Sequence, residues 1–386
     1  MDFKISDEQK QLYESARDFG RKEVFPGILE RDPAKVWSNE LFLKLADLGL
    51  LGAPFPEEYG GSGLNAFETC LVNEGFGEGS EDGGLTLAWG AHTILCGIPI
   101  WKLGTKKQKE KYLPKMSTGE WIGAFCLSEP DSGSDAASMK TRAVKKGDRY
   151  ILNGTKMWIT NGPVANHFIV TAVTDPERKS AGISTFIVEK DFPGFKVGQH
   201  IEKLGLKTST TAEIIFENCE VPAENLLGEE NLGFLGTTKL ILGWERSCLL
   251  APSVGYMKAL IDRCVNYSKE RQQFGRPIAK FQALRHMMAD MRMHYELARL
   301  LIYKVAWHLD KTDTPPLVDA AIAKVFVAEK LQKIARDSVQ IHGGNGFTPE
   351  YHVERVYRDS MLSSIGAGTS EIQRSIIAQS MMGLRF

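Results

Sequence analysis

"RYILNGTKMWITNG", Arg149 to Gly162, is a short run of β-branched and aromatic residues broken by Asn-Gly. Three runs of the same texture follow: "HFIVTAVTD" (His167 to Asp175), "ISTFIVEK" (Ile183 to Lys190) and "AEIIFENCEVP" (Ala212 to Pro222). Asp-Pro and Pro-Gly punctuate them. Short strands bounded by turn residues predict an all-β unit, a small barrel or sandwich. The texture begins near Trp121 and ends near "VPAENLLGEENLGF" (Val221 to Phe234).

Outward from this block the pattern becomes helical on both sides. "SDEQKQLYESARDFGRKEVFPGILERD" starts on Ser6 or Asp7 as a helix cap, and "SNELFLKLADLGLLG" starts on Ser38. "PEEYGGSG" (Pro56 to Gly63) reads as a loop. After about Leu235 the helices are long. Leu284, Met287, Met288, Met291, Tyr295, Ala298, Ile302, Val305 and Leu309 recur every three or four residues, an apolar face of about seven turns. Pro315 and Pro316 break it, and a further helix is expected over about 318–339. The order predicts an α+β chain in three domains: helical over 1–120, β over 121–230, and a helical bundle over 231–386. Segregated blocks argue against a doubly wound α/β fold.

The composition narrows the partners. Of 386 residues 43% are hydrophobic, and 47 Lys+Arg against 48 Asp+Glu leave a net charge of −1. Bulk charge therefore favours neither nucleic acid nor an anionic membrane. Cysteines stand at 70, 96, 126, 219, 248 and 264, too far apart for a CxxC metal or redox pair. Buried free thiols in a reducing compartment, the cytoplasm, are expected. The N-terminus, "MDFKISDEQK", is charged and without an apolar signal core. One uncharged stretch, "GGLTLAWGAHTILCGIPIW" (Gly83 to Trp101), has the length of a bilayer span. Its Pro99, His92, threonines and glycines favour a buried helix of a soluble protein.

Standard catalytic signals are absent: no GxGxxG after a strand, no Walker loop, no HExxH, and no metal-ligating spacing. "SGSDA" around Ser134 is not a GxSxG elbow, because Ala136 stands where the second glycine would be. Longer strings carry the information. "GAFCLSEPDSGSD" (Gly123 to Asp135), "LNGTKMWITNG" (Leu152 to Gly162), "KERQQFGRPIAKFQ" (Lys269 to Gln282), "VQIHGGNGF" (Val339 to Phe347) and "GAGTSEIQR" (Gly366 to Arg374) occur in that order. In content, order and spacing they resemble the acyl-CoA dehydrogenases over essentially the whole chain.

The resemblance implies an FAD enzyme with an N-terminal helical domain, a middle β-domain and a C-terminal four-helix bundle, assembled as a homotetramer. It implies that Phe125, Leu127, Ser128, Trp158 and Thr160 line the flavin ring. It places Gly133 and Ser134 near the pyrophosphate or the pantetheine. Arg271, Phe274, Gln340, Gly343 and Gly344 match residues that reach the FAD of a neighbouring subunit. An arginine suits a phosphate and glycines allow close backbone approach. Thr369 and Glu371 match the last flavin contacts, with Glu371 in place of a more common glutamine. Read without the resemblance, these are ordinary strand, turn and helix-end residues.

The implied reaction is α,β-dehydrogenation of an acyl thioester, with removal of a Cα proton and transfer of a hydride from Cβ to flavin N5. Charge developing on the carbonyl needs donors. In the family these are a ribityl hydroxyl and the backbone N–H at the position of Ala367. Most members carry the catalytic glutamate at that position, so Ala367 keeps the donor and loses the carboxylate. A branch including the isovaleryl and long-chain enzymes takes the glutamate from a helix opening the C-terminal domain. Here the matching string is "LGWERSCLL", and the matching residue is Glu245. A lone acid among Ile241, Leu242, Trp244, Cys248, Leu249 and Leu250 would be desolvated, which raises its pKa and suits a base. Arg246 matches an arginine that supports substrate binding.

Two positions before Glu245, where the CoA enzymes often carry an acid, stands Gly243. This glycine, "GWER" and "GLTLAWGAHTILCGIPI" resemble dehydrogenases that act on acyl groups tethered to a carrier protein, such as prolyl-carrier protein. A catabolic short- or branched-chain acyl-CoA dehydrogenase is the alternative. An electron-transfer flavoprotein or oxygen would take the electrons.

Overall fold

The computed structural model describes residues 4–312 and 314–384. Residues 1–3, 313 and 385–386, which belong to the first and last expected domains, lie outside the described residues. The N-terminal helices are α1 (Asp7–Phe19), α2 (Ile28–Ala34), α3 (Asn39–Asp47), α4 (Ala66–Ser80), α5 (Gly83–Gly90), α6 (Ile98–Leu103) and α7 (Lys106–Ser117). Ser6 caps α1 in a full capping box with Gln9, and Ser38 caps α3 by accepting from the Leu41 N–H. A π-helical segment, Ala91–Gly97, joins α5 to α6. The continuous helix Gly83–Leu103 is apolar and long enough to cross a membrane, but 89% of its apolar window is buried inside the fold.

The middle block is one eight-stranded sheet. Its strands are β1 (Gly123–Cys126), β2 (Arg142–Lys146), β3 (Arg149–Thr160), β4 (His167–Val173), β5 (Ile183–Glu189), β6 (Phe195–His200), β7 (Thr211–Pro222) and β8 (Leu226–Leu227). The order is β6-β7-β3-β2-β4-β5-β8, with β1 added parallel to β4. The strand over Arg149–Thr160 lies inside the sheet, antiparallel to both β2 and β7.

The C-terminal block comprises α8 (Lys239–Trp244), α9 (Ala251–Glu270), a small hairpin of β9 (Gln272–Gln273) and β10 (Arg276–Pro277), α10 (Gln282–Thr312), α11 (Leu317–His342), α12 (Val353–Ser360) and α13 (Ser370–Met381). The expected apolar face of α10 buries Met291, Tyr295, Ala298, Ile302, Val305 and Leu309, and Leu284, Met287 and Met288 pack half-buried at its start.

The blocks meet along α4. Its Gly75 and Gly79 lie against the α1 backbone at Tyr13 and Arg17, and its Gly77 lies against the α9 backbone at Pro252. From the other side, Gly255 of α9 lies against the Glu74 carbonyl and the Glu78 N–H. Backbone-to-backbone approach of this kind leaves no room for a methyl group. Glu74, 1% exposed, then accepts from Arg299 Nε at 2.8 Å and from the hydroxyls of Tyr295 and Tyr303 on α10. Burial pushes its carboxyl up, and Arg299 and the tyrosines pull against that.

Gly255→Ala therefore forces two main chains apart. Its expected cost is about 1–3 kcal/mol, read as a lowered midpoint in guanidinium unfolding; an unchanged midpoint would show that the helices do not depend on this approach.

Candidate active site

The first cluster of sequence-identified residues forms where β1 runs out beside β3. Phe125 lies on β1, half-buried, and Leu127 and Ser128 follow it in the loop. The β3–β7 register slips between Lys156 and Ile159, and Trp158 takes φ +64°. A bulge bends a strand and redirects a side chain, and here it turns Trp158 out of the sheet, 60% exposed. The Met157 N–H, freed from the ladder, donates to the Ser128 carbonyl at 2.8 Å, which sets Ser128 beside Trp158. Thr160, half-buried, ends the strand. Next comes Asn161, whose buried amide donates to the carbonyls of Ala88 at 2.8 Å and Gly123 at 3.1 Å. Gly133 and Ser134 lie in the exposed loop between β1 and β2, with open space above Gly133.

An ion pair unnoticed in the sequence holds this ledge. Lys156, fully buried, donates to Glu129 Oε1 at 2.9 Å and to the Leu127 carbonyl at 3.0 Å. Glu129 also accepts from the Lys140 N–H at 2.6 Å and the Thr141 N–H at 3.0 Å. Burial pushes the Glu129 carboxyl up, but Lys156 and these donors outweigh it and leave it below the usual carboxylate range. The sequence did carry a signal: Tyr150, Leu152 and Lys156 all fall on the inward face of β3, where a lysine needs a partner.

The second cluster is at the C-terminal loop. Ala367 sits at φ +57° and Gly368 at φ +80°. The Ala367 carbonyl accepts from Gln373 Nε2 at 3.0 Å and Arg246 Nη2 at 3.4 Å, and Gln373 also holds the Gly368 carbonyl at 3.0 Å. The Ala367 N–H has no acceptor among the described residues. Thr369 caps α13 by accepting from the Ile372 N–H, and Glu371 is exposed in its first turn.

Glu245 opens a π-helical turn, Glu245–Leu249, between α8 and α9. Such turns concentrate at functional sites. The turn is anchored by Asn73 of α4, which donates to the Cys248 carbonyl at 2.8 Å. Leu242, Glu245 and Leu249 are only half-buried while Ile241, Gly243, Trp244, Arg246, Ser247 and Cys248 are buried, so one face of this helix borders open space. Leu87 and Leu95 break the burial of the Gly83–Ile100 run in the same way. Gly90, between them, packs against Leu249. Two apolar faces with a single carboxylate therefore border one another. Glu245 makes no hydrogen bond or ion pair among the described residues. Burial raises its pKa, while the charges of Arg246 and Lys324 work in the other direction.

Arg271 precedes the β9–β10 hairpin and Phe274 lies in its turn, Phe274 91% exposed and the Arg271 guanidinium without a partner among the described residues. Gln340, Gly343 and Gly344 lie at the end of α11, where Gly343 is the C-cap and both glycines face open space. Tyr267 ties the two together: its backbone carbonyl accepts from the Arg271 N–H at 2.8 Å, and its hydroxyl donates to the His342 carbonyl at 3.2 Å. All six cysteines are free and buried, with Cys70 and Cys248 Sγ 3.6 Å apart.

Lys156→Met removes one half of a buried pair. The expected loss is about 3–5 kcal/mol of stability, measured by denaturant unfolding, together with quenching changes in the Trp158 fluorescence as the Leu127–Glu129 loop loosens. Stability within about 1 kcal/mol of the parent (a fifth to a third of the expected loss) would mean that the pair does not hold the ledge.

Comparison with known proteins identifies the family. Family models for the acyl-CoA dehydrogenase N-terminal, middle and C-terminal domains match residues 6–120, 124–219 and 231–382. The chain is 41% identical over 383 residues to a probable acyl-CoA dehydrogenase, YngJ, of Bacillus subtilis (strain 168), covering 99% of this chain and 100% of that one. It is 42% identical over 382 residues to the mitochondrial isovaleryl-CoA dehydrogenase of Oryza sativa subsp. japonica, covering 98% and 92%. Among solved structures, butyryl-CoA dehydrogenase from Megasphaera elsdenii superposes with a TM-score of 0.95 at 40% identity, over 99% of this chain and 100% of that one. The prolyl acyl carrier protein oxidase AnaB superposes with a TM-score of 0.96 at 36% identity, over the same shares. The chain belongs to the acyl-CoA dehydrogenase family, FAD-dependent oxidoreductases that act on acyl thioesters.

Proposed function

We propose that this protein dehydrogenates an acyl thioester between Cα and Cβ, with Glu245 as the base. The observation that carries this reading is an unpaired, desolvated carboxylate on a helix face that borders open space, opposite Leu87 and Leu95. The residues present fit FAD: an exposed indole at Trp158, hydroxyls at Ser128 and Thr160, open space above Gly133, Gly343 and Gly344, and an unpartnered guanidinium at Arg271. Bound FAD supplies the acceptor for the hydride that leaves Cβ.

The remaining work falls to the chain. The Ala367 N–H, without an acceptor among the described residues, would donate to the thioester oxygen as charge builds on it. Arg246 and Gln373 both grip the Ala367 carbonyl, so they orient that peptide rather than touch the substrate oxygen. Glu245 takes the Cα proton. The apolar walls keep water from the carboxylate and from the carbanion character that develops.

For the thioester we favour an aminoacyl or short acyl group on a carrier protein, such as prolyl-carrier protein. The AnaB likeness supports this, as does a likeness at TM-score 0.96 and 35% identity to PigA, solved with FAD and proline. Gly243 adds support. A Cβ there would lie 2.9 Å from both Leu309 Cδ2 and Pro315 Cβ, so the position has no room for a CoA-contacting acid. The second reading, a catabolic short- or branched-chain acyl-CoA dehydrogenase, draws on the short-chain and isovaleryl relatives. The exposed Met293, Leu297 and Leu300 of α10 and Phe274 suit subunit contacts in a homotetramer, in which Arg271, Phe274, Gln340, Gly343 and Gly344 would serve a neighbour's FAD. Buried free thiols suit a cytoplasmic protein. Electrons would pass to an electron-transfer flavoprotein or to oxygen.

Glu245→Gln is expected to slow flavin bleaching by about 10²–10⁴-fold with FAD retained; bleaching at the parent rate would remove Glu245 as base. In the parent, the rate should fall with acidification at a pH above the ordinary glutamate range, because the raised pKa protonates the base early. Offered butyryl-CoA, isovaleryl-CoA and prolyl-carrier protein separately, the enzyme should bleach fastest with the last. Reduction by the CoA esters alone would leave the catabolic reading.

A further inference from the structure

Lys324 stands on the apolar stripe of α11, in register with Ala320, Val327 and Leu331. It is 1% exposed, and its ammonium has no hydrogen-bond partner among the described residues. A lysine in such a place is held at a cost that leucine or methionine would not incur. Nothing in the packing of α11 requires it, which points to a use for its charge.

The groups around it identify that use. α11 packs against the π-helical turn that carries Glu245 and Arg246, and the charges that act on Lys324 are those two, Glu371 at the start of α13 and Glu329 on its own helix. Glu329 is taken by Arg374, 2.7 Å away. Glu371 is exposed to solvent. The guanidinium of Arg246 makes its one hydrogen bond, through Nη2, to the Ala367 carbonyl. On the α10 side, Lys304 pairs with Asp319 at 2.9 Å, and on the α9 side Arg263 pairs with Glu81. Among the described residues, one half-buried carboxylate without a partner remains, Glu245, and one buried ammonium without a partner, Lys324.

We propose that Lys324 is a positioning residue whose buried charge keeps Glu245 an ionised carboxylate between turnovers, ready to accept the Cα proton. The proposal rests on Glu245 as the base. Desolvation alone pushes that acid toward its protonated form, which cannot abstract a proton. A cation in the same pocket restores the carboxylate without forming a close ion pair that would have to break as the proton arrives. Burial, with Arg246 adding to it, lowers the ammonium of Lys324 to about 8, so it remains charged at neutral pH. Arg246 contributes the larger part of this field, and Lys324 adds a second charge to it from α11.

The test reads Glu245 itself. In the FAD-loaded enzyme without substrate, the protonated-carboxyl infrared band that Glu245→Gln abolishes is titrated against pH. In Lys324→Met its midpoint should rise by about one pH unit, a tenfold loss of ionised base on the acid limb, and Lys324→Arg should bring it back. The flavin-bleaching rate of Lys324→Met should fall about tenfold at acidic pH and recover as pH rises. An unmoved midpoint overturns the proposal. Should Lys324→Met and Lys324→Gln both fail to fold while Lys324→Arg folds, the charge serves the fold and the proposal is likewise overturned. Failure of the base reading looks different: Glu245→Gln would then bleach at the parent rate, whatever the infrared midpoint does.

Discussion

The contact on which the site depends is the approach of α4 to its neighbours at backbone distance. Gly75, Gly77 and Gly79 line a helix whose main chain touches α1 on one side and α9 on the other. Because no side chains intervene, α4 has almost no freedom to slide. Asn73, one turn from Gly77, therefore delivers its amide to the Cys248 carbonyl at a fixed height. That bond stabilises a carbonyl in the π-helical turn that begins with Glu245. The carboxylate thus takes its position from glycines on another helix. The buried Glu74 network repeats the tie to α10, so the N-terminal block and the bundle act as one support for the turn.

The site uses buried charge in two opposite ways. Lys156 and Glu129 are in direct contact, and every remaining lone pair on Glu129 that the fold reaches is met by a backbone donor. Such a pair is stiff, and its function is to hold Leu127 to Glu129 against the bulge that exposes Trp158. Glu245 is half-buried beside the buried Arg246 and Lys324, with no direct pairing between the acid and either cation among the described residues. A direct pair there would fix the carboxylate as firmly as Glu129 is fixed, and a base locked in an ion pair is a poor proton acceptor. Separation retains the long-range field and leaves the oxygen free.

Much of this was legible in the sequence, for physical reasons that differ from element to element. The capped starts at Ser6 and Ser38, the apolar face of α10, and the strands around "RYILNGTKMWITNG" are local features with clear periods, and the structure carries each one. Phe125 to Ser128, Trp158 and Thr160, which the family strings assign to the flavin, lie together where β1 ends beside the β3 bulge. What escaped was set by contacts distant in sequence. No local pattern says that Lys156 reaches Glu129, 27 residues away, although its inward register on β3 could have raised the question. Lys324 left the same kind of trace, a lysine on an apolar helical stripe. The glycines of α4 weaken a helix when read locally and make sense only once α1 and α9 are in place.

Ala367 shows how local and distant constraints combine. At φ +57° it occupies a conformation that side chains other than Asn, Asp and His seldom take without cost. Gln373 and Arg246 hold its carbonyl and so fix the whole peptide plane, which leaves the N–H on the opposite side without an acceptor. The strain and the two hydrogen bonds are justified by the direction of that N–H, and that direction does not depend on what the side chain is. A carboxylate at 367 would share the loop with the donor, and any adjustment of one would move the other. With alanine there, the donor is set by α13 and Arg246, while the acid is set by α4 through Asn73. Arg246 neighbours Glu245 in the chain and grips Ala367 across space, so it links the two halves of the site directly.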